Sequence, residues 1–320
     1  MDTGKKVNNK TGELAGKKID NNADEKDKTV GELDETKTGK SEIRNLKFKI
    51  RIGCQGWNYA DWTTKAAGET VFYPRGTKAN EMLALYAEIF DTVEVDSTFY
   101  AIPSLSSVES WYEKTPENFT FSLKMPQEIT HEHLLRDSAF PIVTEFCERV
   151  RALQEKLGVV LIQMPPQFEA NKENAAALKS FLAWLPQDVR FAIEFRHRDW
   201  LVDWTFGELE KNGVALCLVE GSWIPRDTTF QAIGKIKNDF AYIRFMGERD
   251  LVRFDAVQRE ADANLTMWKQ EIEQINAPEI FAYFSNFYEG HAPESVNKLK
   301  KLFEQKIVDV KNLENQGSLF

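Results

Sequence analysis

The sequence predicts a (β/α)8 barrel of the TIM type that follows a polar N-terminal segment. From residue 48 onward, short runs of apolar, β-branched and aromatic residues alternate with longer amphipathic segments, which is typical of repeated βα units. Eight such runs occur within about 270 residues, the count and size of this fold. All Phe, Trp and Tyr residues also lie in 48–320. We therefore expect a tail at 1–47, one barrel domain at 48–310 and a short C-terminal tail at 311–320.

The N-terminal segment lacks the side chains that build a core. Residues 1–47 contain 11 Lys or Arg, 10 Asp or Glu and no aromatic residue. Such a segment buries too little apolar surface to offset the entropy lost on ordering, so we expect it to be disordered. It has no apolar core of a signal peptide, and no stretch of the chain approaches the roughly 18 apolar residues of a membrane span. We expect a cytoplasmic protein with no membrane partner.

The eight apolar runs define the predicted strands. Most are rich in the β-branched and aromatic residues that pack well on a pleated sheet. They lie at 48–53, 92–96, 119–124, 159–163, 190–194, 214–219, 241–245 and 280–285.

Helical spacing of apolar residues, together with capping residues, predicts the connections. Ser104 offers an N-cap to the second helix, and Gly213 follows the fifth at a position where helices often end. The predicted helices are 78–90, 104–111, 138–157, 171–184, 203–212, 254–276 and 293–305, with 225–238 as the weakest pattern. A doubly wound open sheet is the alternative fold. It would need a GxGxxG turn after the first strand, and Gly53 and Gly56 have the wrong spacing.

Charge and cysteine usage exclude several classes of protein. The chain has 41 Lys plus Arg and 50 Asp plus Glu, and residues 48–320 carry 30 and 40 of these. An acidic body argues against duplex nucleic acid as a partner, because that binding depends on neutralising phosphates. Cys54, Cys147 and Cys217 are odd in number and widely separated, which suggests neither a disulfide framework nor a structural zinc site.

Polar residues collect where the predicted strands end, and TIM-barrel active sites are built from the loops at those carboxyl ends. The cations Lys124, Arg196 and Arg244 outnumber the anions Asp96 and Glu194 there. Arginine forks and lysine bind phosphate and carboxylate groups. The pattern predicts a site for a small anionic substrate, such as a phosphorylated sugar or a nucleotide-like molecule, and leans toward an enzyme. Lyase, isomerase and hydrolase chemistry all stay open, and the sequence identifies no cofactor.

Roles follow from the chemistry of each side chain. A carboxylate at a barrel mouth can act as a general acid or base, which suggests Glu194. Lys124 can hold the anion or, if desolvated, form a Schiff base. His197 completes the catalytic candidates. The candidate substrate-binding residues are Trp57, Tyr59, Asp96, Ser97, Thr98, Tyr100, Gln163, Arg196, Arg244, Asn286 and His291.

Three alternatives remain at this stage. The strand-end charges can simply pair and close the barrel, for instance Lys124 with Asp96 and Arg244 with Glu194. Divalent-metal phosphodiesterase chemistry would use Asp96, Glu194 and His197 as ligands, and the segment His131-Glu132-His133 is a weaker metal candidate. A non-catalytic module that binds single-stranded nucleic acid or protein would use the aromatic loops.

Several motifs of this sequence are similar to those of the YecE-like family, also called domain of unknown function seventy-two. They occur in family order over residues 50–305: Gly53-Cys54-Gln55-Gly56-Trp57-Asn58-Tyr59, Glu94-Val95-Asp96-Ser97-Thr98-Phe99-Tyr100, Lys124-Met125-Pro126, Ile129-Thr130-His131, Gln163-Met164-Pro165-Pro166, Glu194-Phe195-Arg196-His197 and Gly290-His291-Ala292-Pro293. The resemblance implies a TIM barrel but supplies no reaction. It also implies that the characteristic residues of the family's motifs fall at Trp57, Ser97, Thr98, Tyr100, Lys124, His131, Gln163, Glu194, Arg196, His197, Arg244 and Asn286.

The chain departs from the family pattern at two positions, one in the second motif and one after the seventh strand. Where this chain has Asp96, many relatives look like Glu-Ile-Asn-Ser-Thr and so have an asparagine at that position. Met246, in Arg244-Phe245-Met246-Gly247, stands where relatives resemble Arg-Leu-His-Gly. This chain therefore lacks the histidine that relatives carry at position 246.

Overall fold

The computed structural model describes residues 47–63 and 71–308, and these form a closed barrel of eight parallel strands. Each strand pairs with the next, and the last pairs with the first. The strands are β1 Lys49–Gln55, β2 Thr92–Val95, β3 Thr120–Lys124, β4 Leu157–Gln163, β5 Phe191–Glu194, β6 Ala215–Gly221, β7 Phe240–Gly247 and β8 Glu279–Phe284. The predicted fold and all eight strand positions are confirmed. The predicted tails, 1–47 and 311–320, lie outside the described residues except for Lys47.

Helices connect the strands and cover the outside of the barrel. They are α1 Met82–Ile89, α2 Leu105–Glu113, α3 Phe140–Val150, α4 Lys172–Trp184, α5 Asp203–Lys211, α6 Arg226–Ile233, α7 Asp262–Ile272, α8 Asn286–Glu289 and α9 Ala292–Leu302. The side chain of Ser104 accepts a hydrogen bond from the Ser107 amide, so the predicted N-cap is present. Asn171 caps α4 in the same way. The weakest predicted helix, in the sixth connection, is present as α6.

One predicted helix is wrong in its first part. The pattern at 254–276 predicted a continuous helix, but α7 begins at Asp262. Residues before it form a loop whose amides bond elsewhere: Phe254 donates to Asp61 at 3.0 Å, and Gln258 donates to the Glu289 carbonyl at 2.7 Å. These contacts with distant parts of the chain replace the helical hydrogen bonds.

The third predicted helix also ends early. α3 stops at Val150, and a 3-10 turn follows over Arg151–Lys156, with Gln154 at φ 50°. The buried Lys156 ammonium donates to the Tyr112 and Thr115 carbonyls at 2.6 and 2.7 Å. This anchor holds the turn against the end of α2 and directs the chain into β4.

The barrel interior changes from apolar to polar toward the carboxyl ends of the strands. One buried cluster inside the barrel includes Leu161, Ala192, Tyr242 and Tyr283, and a larger cluster fills the space between strands and helices. Because side chains alternate along a strand, residues two positions beyond an interior residue face the interior again. This alternation carries charged and amide side chains into the mouth: Glu94, Lys124, Gln163, Glu194 and Arg244.

Within 47–63 and 71–308, no helix has both the length and the apolar character needed to cross a membrane. Cys54, Cys147 and Cys217 are buried free thiols. The cytoplasmic location stays a prediction.

Candidate functional site

Arg244 on β7 is the centre of the barrel mouth. Its side chain is 1% exposed, and its Nε and one Nη donate to the same Glu94 oxygen at 3.1 and 2.8 Å. The other Nη donates to Glu194 at 2.5 Å. The Arg244–Glu194 pair expected from simple closure of the barrel is therefore present, with a second carboxylate added. A buried guanidinium needs such partners, because an unpaired buried charge is costly.

Glu194, at the end of β5, is bound by two arginines. Arg196 Nε donates to its second oxygen at 3.1 Å, and Arg196 Nη2 donates to Gln163 at 2.9 Å. Burial by itself would raise the pKa of Glu194, but Arg244 and Arg196 outweigh it and lower the pKa to about 2. Glu194 is therefore a permanent carboxylate at neutral pH.

The pKa of Glu94 on β2 is shifted in the opposite direction to that of Glu194, although both carboxylates bind Arg244. It is fully buried, and the Tyr242 hydroxyl donates to it at 2.6 Å. Burial raises the pKa of Glu94, Arg244 opposes this, and Asp96 adds to it. One guanidinium thus lies between two carboxylates whose pKa values are shifted in opposite directions, and both orient it.

Lys124 at the end of β3 is a largely buried cation with no carboxylate oxygen in ion-pair distance among the described residues. Its Nζ lies 3.7 Å from the centre of the Phe99 ring. In the described part of the chain, no Asp or Glu oxygen lies within 4.0 Å of it, so the alternative pairing with Asp96 is not formed. Burial and the nearby Arg244 lower the pKa of Lys124 to about 8, while Asp96 and the two glutamates oppose the shift. The amine is therefore able to change protonation state near neutral pH.

These side chains surround a cavity of about 220 Å³, which we call the inner cavity. Four of its lining residues are cations: Lys124, Arg196, Arg244 and Arg249. The remaining lining residues are Gln55, Tyr59, Asp96, Phe99, Tyr100, Met246, Ser285 and Phe287. The Gln55 carboxamide lies against Arg244, with its oxygen 3.1 Å from Nε in the orientation that satisfies both groups.

The structure brings six of the predicted site residues to the inner cavity and two directly beneath it. Tyr59, Asp96, Tyr100, Lys124, Arg196 and Arg244 line it. Gln163 and Glu194 contact it through Arg196.

Other predicted residues lie elsewhere or support the backbone. Trp57 packs against Trp111, with ring centres 5.9 Å apart, in a separate groove beside α2. The Thr98 hydroxyl reaches the carbonyls of Val95 and Lys124 at 3.0 and 2.7 Å, which positions the end of β3. Ser97 is exposed at the start of the short turn after β2.

Three further predicted residues are set back from the inner cavity. His197 does not line it, and its Nδ1 lies 3.8 Å from Asp199. Asn286 accepts hydrogen bonds from the Trp62 indole and the Ala292 amide. His291 is buried against Trp62, and burial lowers its pKa to about 4, so it is neutral at pH 7.

The candidate metal ligands do not come together. His131 Nδ1 bonds to Thr130 and His133 Nδ1 bonds to Ser138, so the two imidazoles have separate partners. Glu194 is occupied by arginines. Across 47–63 and 71–308, no group of three or more His, Cys, Asp or Glu side chains is arranged to hold a metal ion.

Several residues of the mouth are not among the predicted site residues. Strand alternation places Glu94 on the same face as Asp96 and Tyr242 two positions before Arg244, so the pattern of each strand points to both. The other lining residues are in loops or near strand ends. Gln55, Phe99 and Met246 fall within the segments compared with the family motifs, whereas no sequence pattern points to Arg249, Ser285 and Phe287.

Fold and site together define a class: a TIM-barrel protein with a cation-lined cavity at the carboxyl ends of its strands. A family model described as "Protein of unknown function DUF72" matches residues 51–317. The chain therefore belongs to the DUF72 family, as the motifs predicted.

Relatives and solved structures agree with this assignment. The chain is 25% identical to UPF0759 protein YunF of Bacillus subtilis over 283 residues, which is 80% of this chain and 95% of YunF. It is 32% identical to UPF0759 protein YecE of Escherichia coli K12 over 148 residues, 46% of this chain and 48% of YecE.

Among solved structures, the DUF72 protein TM1631 of Thermotoga maritima is similar with a TM-score of 0.65, 24% identity, and coverage of 80% of this chain and 100% of that one. EF0366 of Enterococcus faecalis gives a TM-score of 0.61, 22% identity, and coverage of 81% and 99%. Both likenesses concern the fold.

Proposed function

We propose that this protein is an enzyme that acts on a small anionic substrate bound in the inner cavity. The observation that carries the proposal is Lys124: a largely buried amine with a lowered pKa, no close carboxylate and an opening into a cavity lined by three arginines. A structural lysine gains little from such a position. Strongly shifted groups in a concave site are typical of catalytic centres.

The cations of the mouth divide into two kinds. Arg244 and Arg196 are held by Glu94, Glu194 and Gln163, so their positions are set before any ligand arrives. Lys124 and the exposed Arg249 have no ion-pair partner within 4.0 Å among the described residues. An entering phosphate or carboxylate would therefore pair with Lys124 and Arg249 and accept further hydrogen bonds from the fixed arginines.

In this proposal, Lys124 rather than Glu194 moves the proton. With a pKa of about 2, Glu194 is a poor base and no acid at neutral pH. Lys124, with a pKa of about 8, is mostly an ammonium at pH 7 and can donate a proton or polarise a carbonyl. Its neutral form can accept a proton or attack a carbonyl carbon. Lyase, isomerase and hydrolase reactions remain the candidate classes.

Binding is the first test. Calorimetric titration at low salt with inorganic phosphate, sulfate and ribose 5-phosphate should show binding to the wild type. Lys124→Ala should weaken it about tenfold or more, because a charge-assisted contact is lost. The control is Lys179→Ala, an exposed lysine of α4 far from the mouth, which should change nothing.

Turnover is the second test. Incubation with a panel of phosphorylated and carboxylated metabolites, followed by NMR, should reveal a substrate that wild type converts and Lys124→Ala does not. Borohydride added during turnover would trap a Schiff base as a mass increase on Lys124. If no anion binds, or if Lys124→Ala binds and converts every compound as the wild type does, the proposal fails.

A further inference from the structure

A second cavity of about 240 Å³ adjoins the inner cavity, and we call it the outer cavity. It is lined by Arg196, Ser222, Trp223, Met246, Gly247, Glu248 and Arg249. Arg196, Met246 and Arg249 belong to both cavities, so the two spaces share a wall. Each is smaller than the roughly 300–1,000 Å³ of common small-molecule sites. A single ligand that extends through both cavities would occupy a volume typical of small-molecule sites.

The outer cavity offers an aromatic face. Trp223, which follows β6, is 49% exposed, although it sits in a concave site. The Arg196 guanidinium carbon lies 5.4 Å from the centre of its ring. Glu194 and Gln163 hold that guanidinium, so the cation of the Arg–Trp pair is fixed in place. A half-exposed indole beside a fixed cation is a platform on which planar rings stack.

The outer cavity also offers a hydrogen-bond acceptor. Glu248 is exposed, and in the described residues it has no basic partner within 4.0 Å, so its carboxylate can accept hydrogen bonds from the N–H or O–H donors of a ligand. Met246 lies between the cavities and offers a polarizable thioether to a ring. The outer cavity thus suits a neutral planar group that carries N–H or O–H donors.

From this geometry we infer that the substrate is bipartite, with an anionic group in the inner cavity and a heteroaromatic ring on Trp223 in the outer cavity, as in a nucleoside monophosphate. The inference rests on the proposed function and names its substrate class. The ring would stack on Trp223, its donors would face Glu248, and the phosphate would reach Lys124 past Arg196.

Calorimetry with adenosine and uridine monophosphate, ribose 5-phosphate and inorganic phosphate tests this inference. Because a stacked base contributes substantially to affinity, each nucleotide should bind about tenfold more tightly than ribose 5-phosphate. Trp223→Ala should abolish that difference and leave ribose 5-phosphate and phosphate unchanged. Trp223→Phe keeps a stacking face and should restore part of it. Trp204→Ala removes a similarly exposed tryptophan, on α5 and outside both cavities, and should have no effect.

The outcomes separate the inference from the proposed function. If ribose 5-phosphate binds through Lys124 but nucleotides bind no more tightly, the ring subsite is refuted and the anion site stands. Equal weakening of all ligands by Trp223→Ala would also refute it, since the side chain would then act on the whole site. If nothing binds, both fail.

Discussion

Lys124 differs from the buried arginines of the mouth because its charge depends on pH in the physiological range. With its pKa lowered to about 8, the ammonium is nearly complete at pH 7 and is lost as the pH rises toward 9. A bound anion interacts with the charged form only. Sulfate affinity in the wild type should therefore fall about tenfold between pH 7 and pH 9, measured by calorimetry. Sulfate is the suitable probe because it does not titrate in this range.

The matched control is Lys124→Arg, which keeps a positive charge at every pH in the experiment. Its sulfate affinity should be flat from pH 7 to pH 9, and Lys124→Ala should be weak and flat. A wild-type affinity that does not change with pH would show that the Lys124 amine takes no part in holding the anion.

At the scale of elements, glycine at position 53 lets β1 approach β2 closely. A Cβ added there would lie 2.2 Å from the Thr92 carbonyl oxygen, which belongs to the backbone of β2 and cannot move without disturbing the barrel. Gly53→Ala should lower the free energy of unfolding in urea by roughly 3 kcal/mol or more. It should also weaken anion binding, because β1 carries Gln55 into the inner cavity.

Gly207→Ala on α5 provides the comparison for that substitution. Nothing lies within 4 Å of a Cβ at Gly207, and the residue is inside a helix. Alanine should therefore raise stability by about 0.5–1 kcal/mol. If the two substitutions changed stability by the same amount, steric contact between β1 and β2 would not be what requires glycine at position 53.

The strands were predictable because each is a short apolar run that can be assigned as a strand from its own residues alone. The loop before α7 was not, because Phe254 and Gln258 bond to Asp61 and Glu289, which are distant in the sequence. The site shows the same division. Alternation along β7 brings Arg244 to the interior, but the choice among Glu94, Asp96 and Glu194 as its partners depends on three-dimensional distances.

The same limit applies to the roles of the charged residues. Sequence reasoning assigned proton transfer to Glu194, because a carboxylate at a strand end is a common acid or base. The structure surrounds it with two guanidiniums, which shift its pKa downward, and leaves Lys124 with the shift toward neutrality. A residue's pKa depends on all its neighbours, and these come from β2, β3, β5 and β7 together.

At the scale of the whole molecule, the mouth network links strands that are far apart in the sequence. Arg244 ties β7 to β2 and β5, and Arg196 ties the end of β5 to β4 through Gln163. The network therefore couples the stability of the barrel to the protonation of its buried carboxylates. Removing one partner leaves an uncompensated buried charge, which typically costs about 3–5 kcal/mol.

Acid denaturation should report this coupling through Glu194. Its pKa is about 2 in the folded protein and near 4.5 when unpaired, so its contribution is complete above pH 4.5 and is lost as the pH falls toward 2. That shift corresponds to about 3 kcal/mol. Glu94 contributes in the opposite direction, because its pKa is raised and its buried ionised form destabilises the fold until acid protonates it.

Urea denaturation at a series of pH values should show that Glu194→Gln is less stable than the wild type at pH 7 and that the difference shrinks between pH 4.5 and 2. The exposed Glu109→Gln on α2 should follow the wild type throughout. A difference for Glu194→Gln that stayed constant with pH would mean that its carboxylate is not what binds the two arginines together.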